Sequence, residues 1–133
     1  MFHALDTSTS GLVAQRTRMD AIAANLANAG TATRDGVTNS PFRRKMVLLQ
    51  PGDGRGGAGV HVSEIRDDPS AFRRRYEPGN PLDGDGDGYV LYPNVSSEVE
   101  QVNAIEATRS YEANIAAAEA TKRMMQAALS LIG

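Results

Sequence analysis

The sequence has no cysteine and no tryptophan, and aromatic residues make up only 5% of it. The absence of cysteine excludes disulfides and thiolate metal sites, although it does not by itself fix the cellular compartment. A chain of 133 residues with so few aromatic side chains is expected to form one domain without a large conventional core. The net charge of −2 gives no overall attraction to nucleic acid or to an anionic membrane.

Long hydrophobic runs are also missing. No segment approaches the roughly 18 consecutive apolar residues of a transmembrane helix. The start of the chain, Met1 to Ser10, has neither the basic region nor the apolar region of a secretory signal. Composition alone therefore predicts a cytoplasmic protein.

Proline is absent from both ends of the chain. All six prolines lie between Ser40 and Asn94, and ten of the thirteen glycines lie between Gly36 and Gly88. Because these residues interrupt helices and form turns, the sequence predicts a helix, a turn-rich middle region and a second helix. The boundaries of these parts are predicted at residues 1–30, 31–93 and 94–133.

The last part of the chain carries a seven-residue apolar repeat at Ala104, Tyr111, Ala118, Met125 and Ile132. Together with companion positions, among them Ile115 and Leu129, the repeat forms one narrow apolar stripe built mostly from small side chains. The pattern predicts a helix of about 35 residues, which is roughly 50 Å long. Ser97 and Glu100 have the spacing of a capping box at its start.

The first part of the chain carries a matching repeat, so a helix is predicted from about Phe2 to Ala29, with Gly30 placed to end it. Gly11 inside this helix predicts a close contact or a soft point. The predicted class is mainly α, with the two terminal helices paired antiparallel as a coiled-coil-like unit and their ends frayed in the isolated chain. The predicted assembly seam is Leu5, Leu12, Met19, Ile22, Leu26, Tyr111, Ile115, Met125 and Leu129.

The middle region predicts a small β insert. Four segments have the composition or alternation of strands: 41–50, 59–65, 73–76 and 89–92. They are expected to form either a small sheet or a pair of hairpins.

Two features of the middle region suggest chemistry, and each also has a simpler explanation. Asp83–Gly88 has acids at alternate positions, as in an EF-hand loop, but Asn94 stands where that loop needs a glutamate. Turn chemistry accounts for the same residues. The basic clusters Arg43–Lys45 and Arg73–Arg75 could bind phosphate, but solvated or partner-facing charge is favoured. His3 and His61 are the only histidines, and the sequence predicts no enzyme, no cofactor, no metal site, no nucleic-acid ligand and no small-molecule substrate.

The segment Ala24–Thr31 reads Ala-Asn-x-Ala-Asn-x-x-Thr at the end of the first heptad helix. This resembles the signature of the bacterial flagellar axial proteins (rod, hook and hook-associated subunits), although relatives often carry an asparagine in place of Ala24. Further segments are similar, in order, to rod members of this family: 41–45, 60–65, 76–81, 88–90, 93–95, 106–114 and 122–124. Asn80 and Leu82 depart from the family pattern.

The resemblance implies a structural subunit of the proximal rod of the flagellar basal body. Such a subunit would assemble helically with other rod proteins, with copies of itself and with basal-body or export-gate components, and would transmit torque across the periplasm. It would be exported by the flagellar type III apparatus, which reverses the compositional prediction of a cytoplasmic protein. The motif residues expected to take part are Asn25, Asn28, Thr31, Tyr111 and Asn114, and loss of 129–132 is expected to abolish rod assembly.

One alternative from another class stays open at this point. A soluble regulatory or calcium-binding adaptor could use an amphipathic helix to hold a target. Calcium-dependent folding would favour that alternative.

Overall fold

The computed structural model describes residues 2–32 and 40–133 of the chain. The elements are α1 (Phe2–Asn28), β1 (Lys45–Pro51), β2 (Val60–Asp67), β3 (Arg73–Tyr76), β4 (Tyr89–Tyr92) and α2 (Ser97–Ile132). The prediction of a mainly helical chain, with a small β insert between two long terminal helices, is confirmed. Within the two described ranges, no helix combines the length and the apolar character needed to cross a membrane.

The two helices pair antiparallel. Asn25, near the end of α1, donates a hydrogen bond to Glu100, near the start of α2, over 3.1 Å. Further along the pair, a Cβ placed on Gly11 would lie 2.9 Å from the side-chain amide of Asn114. Gly11 therefore marks a close approach of the two helices.

The helices differ in length, because α1 has 27 residues and α2 has 36. Continuing the register of the Asn25–Glu100 and Gly11–Asn114 contacts places Phe2 level with about Arg123. About ten residues of α2, or roughly 15 Å of helix, therefore extend past the beginning of α1.

The predicted capping box between Ser97 and Glu100 is wrong. Ser96 is the N-cap residue, and its hydroxyl accepts a hydrogen bond from the Val99 amide at 3.4 Å. The Ser96 hydroxyl also donates to the Glu98 carboxylate at 2.9 Å. Glu100 is only 1% exposed and turns towards other elements, because partners there satisfy its charge better than a backbone amide would.

The strands form a pair of two-stranded antiparallel hairpins, β1–β2 and β3–β4. The register of the first hairpin shifts at a bulge between Leu48 and Leu49. β1 begins at Lys45 instead of Pro41, because the Arg44 amide donates to the Asn94 side chain and not to a strand.

The first hairpin lies along α1. At one end, the Asn25 side chain bonds the backbone of Lys45, and at the other the Val60 amide donates to the Ser10 hydroxyl at 3.1 Å. α1 thus carries α2 on one side and this hairpin on another. Its buried residues are Ser8, Gly11, Ala14, Ile22 and Asn25.

The attachment at the hairpin tip depends on Gly59. This residue has a φ of 125°, and a Cβ there would lie 2.5 Å from the Ser10 hydroxyl oxygen. We expect Gly59→Ala to lower the free energy of unfolding by about 1–3 kcal/mol more than Gly56→Ala does. Gly56 is a matched control, because its φ is 94° but nothing lies within 4 Å of its added Cβ. Urea unfolding of the two variants measures the difference, and equal losses would contradict the clash.

Candidate assembly surface

The predicted seam residues differ in exposure. Seven are buried or half-buried, namely Leu5, Leu12, Met19, Ile22, Leu26, Tyr111 and Met125. The other two, Ile115 and Leu129, are 37% and 68% exposed. Burial inside one chain does not test a role between chains, so the assembly role of all nine stays a prediction.

Small residues line the contact between the helices. Ala14 and Ala107 are almost completely buried, as are Ser8 and Thr121. Because such side chains let helix backbones approach closely but bury little apolar area each, the pair is held by many small contacts.

A second apolar stripe runs along the opposite, outer face of α2, and the heptad argument missed it. Val102 and Ile105 are more than half exposed, and the small residues that follow them are exposed as well. Several neighbouring members, such as Ala113, Ala116 and Ala120, are three or four residues apart, and this spacing is the signal that could have revealed them, although Arg109 and Arg123 interrupt the stripe. They are Val102, Ile105, Ala113, Ala116, Ala120, Ala127 and Leu131. We call this set the outer stripe.

The segment of α2 that extends past α1 is also apolar and uncovered. Leu129, Leu131 and Ile132 are 68%, 87% and 85% exposed. Phe2, at the neighbouring end of α1, is 75% exposed. Apolar side chains grouped in this way mark a surface that other molecules cover.

A polar network lies at the opposite end of the helix pair and centres on Asn25, which is 1% exposed. Its amide nitrogen donates to the Lys45 carbonyl at 2.9 Å and to Glu100 Oε2 at 3.1 Å. Its amide oxygen accepts from the Lys45 amide at 2.8 Å. One side chain thus joins α1 to α2 and to β1.

Glu100 and Arg44 extend this network. Arg44 Nε donates to Glu100 Oε1 at 2.6 Å, and the same guanidinium pairs with Asp68 at 3.4 Å. The pKa of the Asp68 carboxyl lies below its usual value. The main cause is the hydrogen bond from the Ser70 backbone amide, and the Ser70 hydroxyl and the Arg44 guanidinium add to it. Asn94 closes the network, because it accepts from the Arg44 amide and donates to the Asp68 carbonyl.

The five motif residues do not form one cluster. Asn28 donates to the Ala24 carbonyl of its own helix at 2.8 Å, and Thr31 is exposed. Asn114 donates to the Ser110 carbonyl at 2.9 Å, and Tyr111 beside it is half-buried. Among these five described residues, Asn25 is the one whose side-chain hydrogen bonds reach other elements, over sequence distances that local patterns do not reveal.

The expectation that the basic clusters are solvated or partner-facing is wrong for Arg43 and Arg44, which are half-buried, whereas the arginines of the second cluster are exposed. Arg43 donates to the carbonyls of Asp68 and Ser70 and lies 4.3 Å from the Phe72 ring centre. Arg73 donates to the carbonyls of Pro93 and Ala29, both at 2.9 Å. The remaining pairs are Lys45–Asp67, Arg74–Asp87 and Arg75–Glu77.

The acidic turn is held by its own side chains. The Asp83 carboxylate accepts from the amides of Gly86 and Gly88 at 2.8 Å, and Asp87 accepts from the Tyr89 amide at 2.9 Å. Over residues 2–32 and 40–133, no three acidic or histidine side chains are grouped as metal ligands would be. Turn chemistry therefore accounts for these residues.

Two stretches of the chain match families of flagellar proteins. Residues 5–32 match the family described as flagella basal body rod protein. Residues 87–131 match the C-terminal region of the flagellar basal body rod FlgEFG proteins. The two stretches contain most of α1 and most of α2.

Individual relatives extend the similarity to the middle region. The chain is 43% identical to the flagellar basal-body rod protein FlgC of Bacillus subtilis, over 98% of this chain and 97% of the relative. It is 40% identical to FlgC of Salmonella typhimurium over the same shares of both chains. It is 34% identical to FlgC of Borreliella burgdorferi, over 99% of this chain and 97% of the relative.

Proposed function

The chain belongs to the FlgC family of flagellar basal-body rod proteins, and we propose that its paired terminal helices are the surface that builds it into the rod. It is a structural subunit of the rod and is located in the flagellar basal body. The cytoplasmic location predicted from composition is therefore wrong. The alternative of a calcium-binding adaptor finds no support among the relatives, which are rod proteins.

The outer stripe of α2 is the observation that carries the proposal. One face of α2 is buried against α1, and the opposite face carries exposed apolar side chains that are interrupted by Arg109 and Arg123. Exposed apolar side chains grouped on a second face of a helix mark a surface that another molecule covers. Because the members from Ala113 to Ala127 are all alanines, a second helix can approach this part of the stripe closely.

The protruding end of α2 supports the same assignment. Its exposed leucines and isoleucine lie beyond α1, so a neighbouring subunit can cover them without displacing any part of this chain. The part of the outer stripe from Val102 to Ala120 and the protruding end are different patches. A contact that joins different patches of successive subunits produces an open helical array when its rotation does not close into a ring, and a rod requires such an array.

The proposal includes partners and a mechanical role. The neighbours are other rod proteins and copies of this chain, with basal-body or export-gate components at the end of the rod. Many small helix contacts spread a shearing load better than one hydrophobic patch, which suits a shaft that transmits torque. The chain would reach this position through the flagellar type III apparatus, and it would carry no catalytic activity.

Deleting the gene in the bacterium that encodes the chain tests the proposal. We expect non-motile cells without a rod, and recovery of swimming when the gene is restored. Basal bodies purified from the restored strain should contain the chain when they are analysed by mass spectrometry. Intact rods in the deletion strain, or basal bodies without the chain, would refute the proposal.

A further inference from the structure

The polar network lies where the helical and β-rich parts of the chain meet. It joins the end of α1, the start of α2, the start of β1 and the segments that hold Asp68 and Asn94. Both covalent connections between the helices and the middle region also pass this point, since α1 ends at Asn28 and α2 begins at Ser97. A force between the two parts therefore passes through these connections, the network and the other contacts of the hairpins with α1.

Asn25 replaces a strand neighbour. Its side chain bonds both the carbonyl and the amide of Lys45, at 2.9 and 2.8 Å, as a residue of an adjacent antiparallel strand would. The exposed fraction of Asn25 is 1%, so water does not compete for these bonds. Such bonds are directional, whereas apolar contacts permit sliding.

Glu100 makes the network sensitive to displacement of its members. Its carboxylate is 1% exposed and depends on Arg44 and Asn25 for its hydrogen bonds. A buried charge that loses a partner is strongly destabilised. Movement of β1 away from α1 would break the bonds of Arg44 and Asn25 together.

The first hairpin has a second attachment at its other end, where Ser10 accepts from the Val60 amide at 3.1 Å. Ser10 and Asn25 are separated by about four turns of α1, or roughly 22 Å. Two attachments so far apart prevent the hairpin from rotating on the helix. The β3–β4 hairpin is attached differently. Arg73, at its base, donates to the carbonyls of Ala29 and Pro93.

We infer that the Asn25–Glu100–Arg44 network is a coupling joint that makes the first hairpin and the helix pair move as one body, so that load on one reaches the other. This inference rests on the proposed function in the rod. It gives the asparagine of the motif a role inside the subunit, where the resemblance suggested a role between subunits.

The Asn25→Asp variant tests the joint. The new carboxylate has nearly the same shape, but it cannot donate to the Lys45 carbonyl and it faces the Glu100 carboxylate across the 3.1 Å contact. We expect the Lys45 amide of the purified chain to exchange its hydrogen about tenfold faster or more. Asn28→Asp is the matched control from the same motif. In this variant the Lys45 amide is expected to exchange at the wild-type rate, because the bond of the Asn28 side chain stays within its own helix.

A charge-swap double variant distinguishes coupling between Asn25 and Glu100 from general destabilisation. Combining Asn25→Asp with Glu100→Gln restores one donor–acceptor pair in the reversed sense and keeps the net charge of the network. We expect slower exchange in the double variant than in Asn25→Asp, which independent losses would not produce. Exchange in the double variant as fast as in Asn25→Asp, or faster, would overturn the inference.

In cells, the variants are compared for basal-body content and for loss of filaments in viscous medium. We expect the Asn25→Asp chain to be present in basal bodies, and its cells to lose filaments several-fold more often than wild-type cells. The charge-swap double variant is expected to recover part of the filament retention. Wild-type exchange or wild-type filament retention in Asn25→Asp would overturn the joint. If Asn25→Asp is missing from basal bodies, recovery by the swap supports the joint and its failure overturns it. Absence of the wild-type chain from basal bodies would instead refute the proposed function.

Discussion

A chain shortened by removal of residues 129–133 is expected to leave cells non-motile although the purified subunit stays as stable as the full chain. The removed apolar side chains lie past the beginning of α1. Leu131 is 87% exposed and Ile132 is 85% exposed. Within the chain, the cut removes only bonds of the last helical turn, among them those from the Gly133 amide to the Leu129 carbonyl and from the Ser130 hydroxyl to the Ala127 carbonyl. We expect the free energy of unfolding to change by less than about 0.5 kcal/mol. The loss of function comes from the missing contact with a neighbouring subunit.

Three measurements check this expectation. Urea unfolding reports the stability, swimming plates report motility, and mass spectrometry of purified basal bodies reports incorporation. Ser130→Ala is the control, because it keeps the length and every apolar side chain of the segment. Full swimming by the shortened strain would contradict the role of the protruding end, and a large loss of stability would show that the segment acts within the subunit.

The terminal helices were predictable because their signal is local. The heptad repeats and the absence of proline set the two helices to within a few residues, and the placement of glycine and proline set the turn-rich middle. Gly11 was predicted to mark a close contact or a soft point, and it lies against Asn114. The choice between one sheet and two hairpins stayed open, because strand composition does not specify pairing.

The polar network was not predictable, because its partners are far apart in sequence. Asn25 lies 75 residues from Glu100 and 20 from Lys45. Glu100 has the local spacing of a capping residue, but tertiary bonds to Arg44 and Asn25 compete successfully for its carboxylate. Nothing in the sequence around Arg73 indicates that its side chain donates to the Ala29 carbonyl, just after α1.

Placing the same lysine on the two faces of α2 is expected to separate folding from assembly. Ala107 is completely buried against α1, and Ala116 is exposed on the outer stripe. Ala107→Lys forces a long charged side chain into the helix contact and is expected to cost about 2–4 kcal/mol of stability. Ala116→Lys is expected to change stability by less than about 0.5 kcal/mol, because lysine is a good helix former and Glu112 lies one turn before it.

Assembly should respond differently from stability. We expect Ala116→Lys to leave the purified subunit folded but to exclude it from basal bodies, because a lysine on the outer stripe prevents close approach of a neighbouring helix. Circular dichroism melting and basal-body composition measure the two effects on the same pair of variants. If Ala116→Lys is incorporated and supports swimming, the outer stripe is not an assembly surface. If Ala107→Lys is as stable as wild type, the two helices do not pack through this face in solution, and their pairing forms only in the rod.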